Sequence, residues 1–249
     1  MTLPTVEAFE RAGLAVWPGT EVKWDGSWVR RAAGGYTKRA NSTQCLDPED
    51  GDEADLRIIS ASSWMVIRGI KPVFRITPLA SPELVEALDE AGWQELDPSH
   101  LFAMELGEPE PDTRCRSYDV LDPAYLAAAR HLQGYSDQQM SGMEALLAAL
   151  DVPASAFVLS DADGSPVASA LMCVADGIVF TSNVVTDRAK RRQGFGAAMM
   201  RTGLAWAGNA GATVAALNVQ ADNPAGQALY TSLGYQHQYD YAYCIPRQA

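Results

Sequence analysis

The stretch between residues 177 and 208 constrains the fold of this chain more than any other. An apolar run, Gly177–Val185, gives way to Thr186-Asp187-Arg188-Ala189-Lys190-Arg191-Arg192-Gln193-Gly194-Phe195-Gly196. The next residues, up to Gly208, carry Ala197, Met200, Leu204 and Ala207 at near-helical spacing. A strand that stops, turns through glycine and restarts as a helix leaves the first helical N–H groups without partners, and the helix dipole adds partial positive charge there. Such a junction is suited to phosphate. Arg188, Lys190, Arg191, Arg192 and Arg201 surround it, five of the seven Lys and Arg residues after position 116, in a chain whose net charge is −12. That concentration against the prevailing sign points to an anionic ligand.

The remaining composition narrows the class. Hydrophobic residues make up 47% and charged residues 20% of the 249 positions, the balance of an ordinary globular protein of one or two domains. No run approaches the ~20 apolar residues of a membrane span, and the first residues lack a basic segment followed by an apolar core, so a cytoplasmic protein without a membrane partner is expected. Cys45, Cys115, Cys173 and Cys244 stand far apart with no His at ligand spacing, so neither a disulfide framework nor a metal site is expected. The acidic balance argues against nucleic acid, whose binding requires many cations. It suits a neutral or cationic substrate.

The second half reads as ααβββαβαβ. Helices are expected at Ala124–Leu132, after Asp122-Pro123, and at Met143–Leu150, with an irregular polar segment Gln133–Gly142 between them. Ala156–Ser160, Pro166–Val174 and Gly177–Val185 read as strands, the first two joined by a turn at Asp161-Ala162-Asp163-Gly164. After the glycine turn and its helix come a strand at Thr213–Val219, a helix at Pro224–Leu233 and a strand at Tyr239–Ile245. The junction around the glycines is a parallel crossover. In the first half, Val22–Trp24, Trp28–Arg31 and Tyr36–Ala40 read as short strands. Glu105–Arg116, rich in Pro and charge, reads as a linker between residues 1–110 and 117–249.

An offset of 142 residues places Pro82 on Pro224, Gly92 on Gly234 and Trp93 on Tyr235, and aligns Val73–Thr77 with Ala215–Val219 and Leu101–Phe102 with Tyr243–Cys244. Five features in register are read as a degenerate internal duplication. The same offset lays Arg191–Gly196 on Glu49-Asp50-Gly51-Asp52-Glu53-Ala54, an acidic segment that would repel phosphate.

Arg191-x-x-Gly194-x-Gly196 at a strand–helix junction, followed by Asn223, Leu229-Tyr230 and Leu233-Gly234-Tyr235, resembles the GNAT superfamily of N-acetyltransferases over about residues 118–246. The resemblance implies a mixed, mostly antiparallel α+β sheet flanked by helices, and the first half is similar to the degenerate N-terminal copy of tandem members. It implies acetyl-CoA as cosubstrate, with backbone groups of Val184 and Val185 pairing with the pantetheine arm. Backbone N–H groups of Arg192, Gln193, Gly194, Phe195, Gly196 and Ala197 are then expected to cradle the pyrophosphate, which two glycines and a nest of N–H groups favour independently. Arg191 and Arg192 are placed to add charge-assisted bonds, and Arg188 and Lys190 to meet the 3′-phosphate or solvent.

Asn223 matches a position that bonds backbone or cofactor, although an Asn before Pro also fits a helix cap. Tyr230 matches the tyrosine that protonates the departing thiolate; packing of its helix is the competing role. A phenol, with a pKa near ~10, carries the proton such an acid needs. No carboxylate lies in Gly177–Val185, only Thr181, Ser182 and Asn183, which suit a relay water. Other base candidates are Asp137, Glu144, His131, His237 and Tyr241, each of which also fits a solvated role. Tyr135, Tyr235, Tyr239, Tyr241 and Tyr243 suit a pocket for a cation or an apolar group. Arg30, Arg31, Lys38, Arg39 and Asn41 suit an anionic group on the acceptor if the first half covers the site; otherwise they are solvated strand edges.

The implied activity is transfer of an acetyl group to a primary amine of a small molecule or amino acid. A protein or peptide amine and a non-catalytic acyl-CoA sensor are the other readings. Oligomeric state is left open.

Overall fold

Five of the seven α-helices among the described residues open on a capping side chain. The computed structural model describes residues 2–247. Thr5 accepts a hydrogen bond from Ala8 N–H to open α1 (Val6–Val16). Strands β1 (Glu21–Asp25), β2 (Trp28–Ala32) and β3 (Thr43–Cys45) follow, then α2 (Ala54–Ile67) and β4 (Phe74–Ile76). Ser81 caps α3 (Pro82–Glu90), and β5 spans Trp93–Glu105. The second half comprises β6 (Cys115–Tyr118), α4 (Pro123–Gln133), α5 (Asp137–Ala148), β7 (Ala154–Ser160), β8 (Pro166–Ala175), β9 (Ile178–Thr186), α6 (Phe195–Asn209), β10 (Val214–Gln220), α7 (Pro224–Ser232) and β11 (Gln236–Pro246).

These strands form one sheet of eleven in the order β1-β2-β3-β4-β11-β5-β10-β9-β8-β7-β6. Only β3–β4 and β9–β10 pair in parallel among the described residues. One face of the second half is covered by α4 and α5 together with α1, packing Phe9, Trp17, Tyr125, Met143 and Phe180 into one cluster. The other face carries α6 and α7, whose Met199, Met200, Leu204 and Tyr230 pack on Phe157, Met172 and Leu217. A third cluster, with Trp28, Ile58, Phe74 and Leu84, lies under α2 and α3.

The 142-residue correspondence is a feature of the fold. Helices α3 and α7 start at Pro82 and Pro224 and end at Glu90 and Ser232, 142 positions apart at both ends. Each is closed by a positive-φ glycine, Gly92 or Gly234. The unit β4-α3-β5 therefore repeats as β10-α7-β11, and each half pairs its last strand with the other: β5 joins β10, and β11 joins β4. β5 and β11 run antiparallel to one another, and Ser99 faces Tyr241, its own equivalent. A local pseudo-twofold axis passes through that pair.

Two sequence expectations are corrected, and two helices lie outside them. Tyr36–Ala40 is not a strand but a bend running into a 3-10 turn, Lys38–Ala40. Gly34 and Gly35 take positive φ, and the Asn41 side chain accepts from Ala33 and Gly35 N–H while donating to the Tyr36 and Thr37 carbonyls, which consumes the groups a ladder needs. The segment 133–142 is not irregular throughout: α5 begins at Asp137, opened by a reciprocal capping box between Ser136 and Gln139. Helices α1 and α2 were not foreseen at all.

Gly142 sits inside α5 because Tyr36 lies against it; a Cβ there would come within 2.5 Å of Tyr36 Cβ. Gly142→Ala gains ~0.5–1 kcal/mol of helix propensity but forces that contact apart, at a cost of ~1–3 kcal/mol. Net destabilisation in urea is expected; unchanged or raised stability would show that α5 and Tyr36 separate freely.

Candidate active site

The cleft begins where two strands part. β9 and β10 pair from Ile178–Val214 to Thr181–Leu217, whereas β9 continues to Thr186 and β10 to Gln220. A bulge drives the divergence: Asn183 has φ +53, and the β8–β9 register shifts between Ser169–Val185 and Leu171–Ser182. Gln133 of α4 holds the bulge by donating to the Asn183 carbonyl at 3.2 Å. Val184 and Val185 lie beyond the last β9–β10 pair, so the edge they turn toward β10 is an unladdered strand edge within the fold. An extended polar ligand can pair there as a strand would.

At the far end of β9, Asp187 caps a 3-10 turn over Arg188–Lys190, and the chain enters α6 through Arg192 at φ +62 and Gly194 at φ +82. No side chain caps α6 among the described residues. Residues Arg191–Gly194 are exposed, so the N–H groups at this helix start face solvent in the dipole's positive end. Gly194 meets no neighbour at its would-be Cβ; its requirement is conformational. Gly196 is required by space, since a Cβ would lie 3.0 Å from Thr186 Oγ1 and 3.4 Å from Leu229 Cδ2. Its approach draws the ends of β9, α6 and α7 together. Lys190 pairs with Asp161 at 3.3 Å, and Arg191 Nε donates to the Thr186 carbonyl at 3.4 Å.

The first half presents the same junction in a closed form. α2 also starts from a left-handed residue without a side-chain cap, Glu53 at φ +55. Before it, Asp50 accepts from Arg57 at 2.7 Å and from Ser27 N–H and Oγ at 2.7 Å each. The hydrogen bond from Arg57 and those from Ser27 outweigh burial and hold the Asp50 carboxyl well below the usual range. Asp50, a member of the acidic segment that replaces the basic glycine turn, is thus tied down by Arg57 and Ser27.

Tyr230 is the buried residue of α7; its ring meets that of Tyr235 at 6.0 Å, within an apolar cluster bordered by Val184, Phe195 and Leu229. Burial pushes its hydroxyl up to about 12, so it keeps its proton at neutral pH. Asn223 caps α7, its Oδ1 accepting from Gly226 N–H at 2.9 Å.

On the opposite face the first half reaches the cleft floor. Arg39 donates to Ser182 Oγ at 3.3 Å and lies 4.8 Å from the Trp17 ring centroid. Tyr36 and Tyr135 meet hydroxyl to hydroxyl at 3.4 Å. Asp137 instead pairs with Arg130 at the surface. His131 and Glu144 are exposed. Tyr241 packs on the Arg75 guanidinium. Glu10 is the buried carboxylate among the described residues, and it is fully engaged by Arg75, Gln44 and Tyr239. No sequence signal linked it to the cleft.

His237 joins a cluster that sequence spacing did not reveal. Asp240 Oδ1 lies 2.6 Å from both His100 Nδ1 and His237 Nε2. The hydrogen bonds from His237 and His100 lower the Asp240 pKa. The three ligand-type atoms fall within 4.8 Å of one another, and the two rings already occupy the carboxylate oxygen.

A mixed sheet opened by a β-bulge, with a glycine-turn helix start at its mouth, defines a GNAT-type acetyltransferase. The chain belongs to the family described as "Probable histone acetyltransferase Rv0428c C-terminal", whose model matches residues 4–244. The "Uncharacterized N-acetyltransferase YobR" of Bacillus subtilis is 26% identical over 248 residues, covering 97% of this chain and 99% of that protein. A GCN5-related N-acetyltransferase from Kribbella flavida has the same fold at a TM-score of 0.75 and 20% identity, over 100% of this chain and 98% of its own. A tandem GNAT protein from the clavulanic acid biosynthesis pathway matches at a TM-score of 0.66 and 11% identity, over 97% and 87%. No helix among the described residues is long and apolar enough to cross a membrane.

Proposed function

We propose that this acetyltransferase moves an acetyl group from acetyl-CoA to a primary amine of a small molecule or amino acid by direct transfer, in the cytoplasm. The observation that carries the reading is the junction of an unpaired β9 edge at Val184–Val185 with an uncapped α6 start at Gly194, beside the apolar cluster that holds the proton-bearing Tyr230. Backbone N–H groups from Arg192 to Ala197 would hold the pyrophosphate, Arg191 and Arg192 would add charge, and the Asn223 amide would support the cofactor beside α7. Residues 117–249 would form the catalytic domain and residues 1–110 a degenerate copy that covers the acceptor side.

In this reading the thioester carbonyl lies against the β9 edge, where backbone N–H groups stabilise negative charge on its oxygen. The amine must lose a proton before attack. Among the described residues the cleft floor offers Ser182, Thr181 and Asn183 and no free carboxylate, which favours a water relay over an ionic base. Tyr230 then donates its proton to the departing thiolate. The closed Asp50–Arg57 junction of the first half leaves one cofactor site per chain.

A protein amine is the second reading, favoured by the family's description and by the net charge of −12, which suits a basic peptide. Tyr230→Phe tests the chemistry common to both. Turnover is expected to fall ~100-fold or more, while acetyl-CoA affinity stays within about threefold, under ~0.7 kcal/mol. Parallel losses in both would make Tyr230 a packing residue.

A further inference from the structure

Two imidazoles and a carboxylate meet on the sheet face that Phe102 shares with α6 and α7. His100 lies on β5, and His237 and Asp240 lie on β11. A regular strand alternates its side chains between faces, so residues three apart would point to opposite sides. A bulge changes that. His237 stands opposite Phe102 and Asp240 opposite His100, and the register shift between His237 and Tyr239 absorbs the extra residue, Gln238. Because His100 and Phe102 are two apart on β5, His237 and Asp240 both share their face. The rings are supported as well as aimed: Phe102 lies 6.0 Å from each imidazole, centroid to centroid, and the imidazoles stand 5.2 Å apart at 75°. Asp240 Oδ1 is 2.6 Å from both His100 Nδ1 and His237 Nε2, and the three atoms fall within 4.8 Å of one another. Those bonds lower the Asp240 pKa, which keeps the carboxylate ionised.

We propose that His100, His237 and Asp240 bind a divalent transition ion of the zinc class, which clips β5 to β11 and so joins the last strands of the two halves. Two imidazole nitrogens with one carboxylate oxygen are a borderline donor set that suits Zn2+, whereas Mg2+ and Ca2+ take oxygen ligands. Ligand atoms around a tetrahedral zinc stand about 3.3 Å apart at bond lengths of ~2.0–2.1 Å, so Asp240 Oδ1 must withdraw from each ring by less than about 1 Å. It is free to do so: Asp240 is 72% exposed, and its other oxygen has no partner among the described residues. In the hydrogen-bonded trio each neutral imidazole carries its proton on the nitrogen facing Asp240; with the ion bound, that proton sits on the other ring nitrogen, and no net proton is lost. Both β11 side chains are exposed, which leaves an entry path and a fourth position for water. The net charge of −12 favours a cation. Sequence spacing pointed to no metal because His100 precedes Asp240 by 140 positions and only the β5–β11 ladder brings them together. The site goes beyond acetyl transfer and does not depend on it, since none of the three side chains belongs to the glycine turn or the β9 edge.

The first measurement is calorimetric titration of the full chain, without an affinity tag, with zinc chloride, and with magnesium chloride as the control ion. One Zn2+ per chain is expected, with no binding of Mg2+. His237→Gln and Asp240→Asn are each expected to weaken zinc by at least about 100-fold, since losing a ligand costs no less than losing the partner that orients one. His100→Gln is expected to do the same; if it does not fold, the two variants at exposed positions decide. Absence of zinc binding, or zinc affinity unchanged in both His237→Gln and Asp240→Asn, overturns the site.

The second measurement is thermal unfolding at increasing zinc concentration. An ion that binds the folded chain in preference to the unfolded one raises Tm progressively with its concentration. Any zinc held by the unfolded chain's cysteines is common to the native protein and to Asp240→Asn, so the difference between the two isolates the folded site. A larger rise in the native protein is expected. Equal shifts in both would place the ion elsewhere and overturn the clip.

Discussion

Gly194→Asp is expected to weaken acetyl-CoA binding by at least about 100-fold, near 2.7 kcal/mol, with a loss of stability of only ~1–2 kcal/mol from a side chain at positive φ. The substitution meets no neighbour, since nothing lies within 4 Å of the would-be Cβ. Its effects are therefore two: a side chain at φ +82, and a carboxylate where a pyrophosphate would approach the α6 N-terminus. Gly194→Asn separates them. Asparagine tolerates the left-handed region about as well as aspartate and carries no charge, so about a tenfold loss is expected from bulk alone. Calorimetry that finds equal losses for the two variants would assign the effect to backbone strain. Unchanged affinity in both would remove the glycine turn from the cofactor site.

The second large effect is on folding. Glu10 and Arg75 are 4% and 3% exposed and bond through two nitrogens of one guanidinium. Removing one partner of a buried pair strands the other charge, so Glu10→Gln is expected to cost ~3–5 kcal/mol in urea unfolding. Glu10→Leu with Arg75→Met, which removes both charges, is expected to recover most of that loss. A single variant that loses under ~1 kcal/mol would show that solvent reaches the pair.

The pH dependence has a defined sign. Burial opposes ionisation of Glu10, but Arg75 and the hydrogen bonds from Arg75, Tyr239 and Gln44 prevail, and its pKa lies below the ordinary carboxylate value. A carboxyl whose folded pKa is depressed stabilises fully above its unfolded pKa and loses that contribution as pH falls through the folded value. The gap between the native protein and Glu10→Gln should therefore narrow in acid.

The parts of the fold legible in the sequence were those with local chemical punctuation. Asp122-Pro123 and Asn223-Pro224 open helices by side-chain caps, and Gly134 and Gly234 close them; these are short-range effects that a linear reading captures. The 142-residue correspondence was legible for the same reason, because the proline and glycine that open and close α3 and α7 stand at the same offset. Its topological consequence was not, since nothing local tells β5 to pair with β10 and β11 with β4. Tyr36–Ala40 misled because its residues fit a strand, while the deciding bonds come from the single side chain of Asn41. The glycine turn was visible as spacing, and Tyr230 only through the resemblance to the GNAT superfamily. The packing of Glu10, Arg31, Arg39, Arg75 and Ser182 was not legible, since residues up to 172 positions apart in the chain, Glu10 and Ser182, come together there. Arg31 and Arg39 could be noted as candidates, but the burial of Arg31 near a carboxylate already consumed by other donors depends on tertiary packing.

The central claim is that the cleft between β9 and β10 transfers an acetyl group to an amine. Thiol release on mixing the protein with acetyl-CoA and a panel of primary amines tests it most directly. The account predicts amine-dependent release well above acetyl-CoA hydrolysis, proportional to enzyme and suppressed in Tyr230→Phe. Binding of acetyl-CoA with release no faster than hydrolysis, whatever the amine, would contradict it and leave a protein that holds the cofactor without using it.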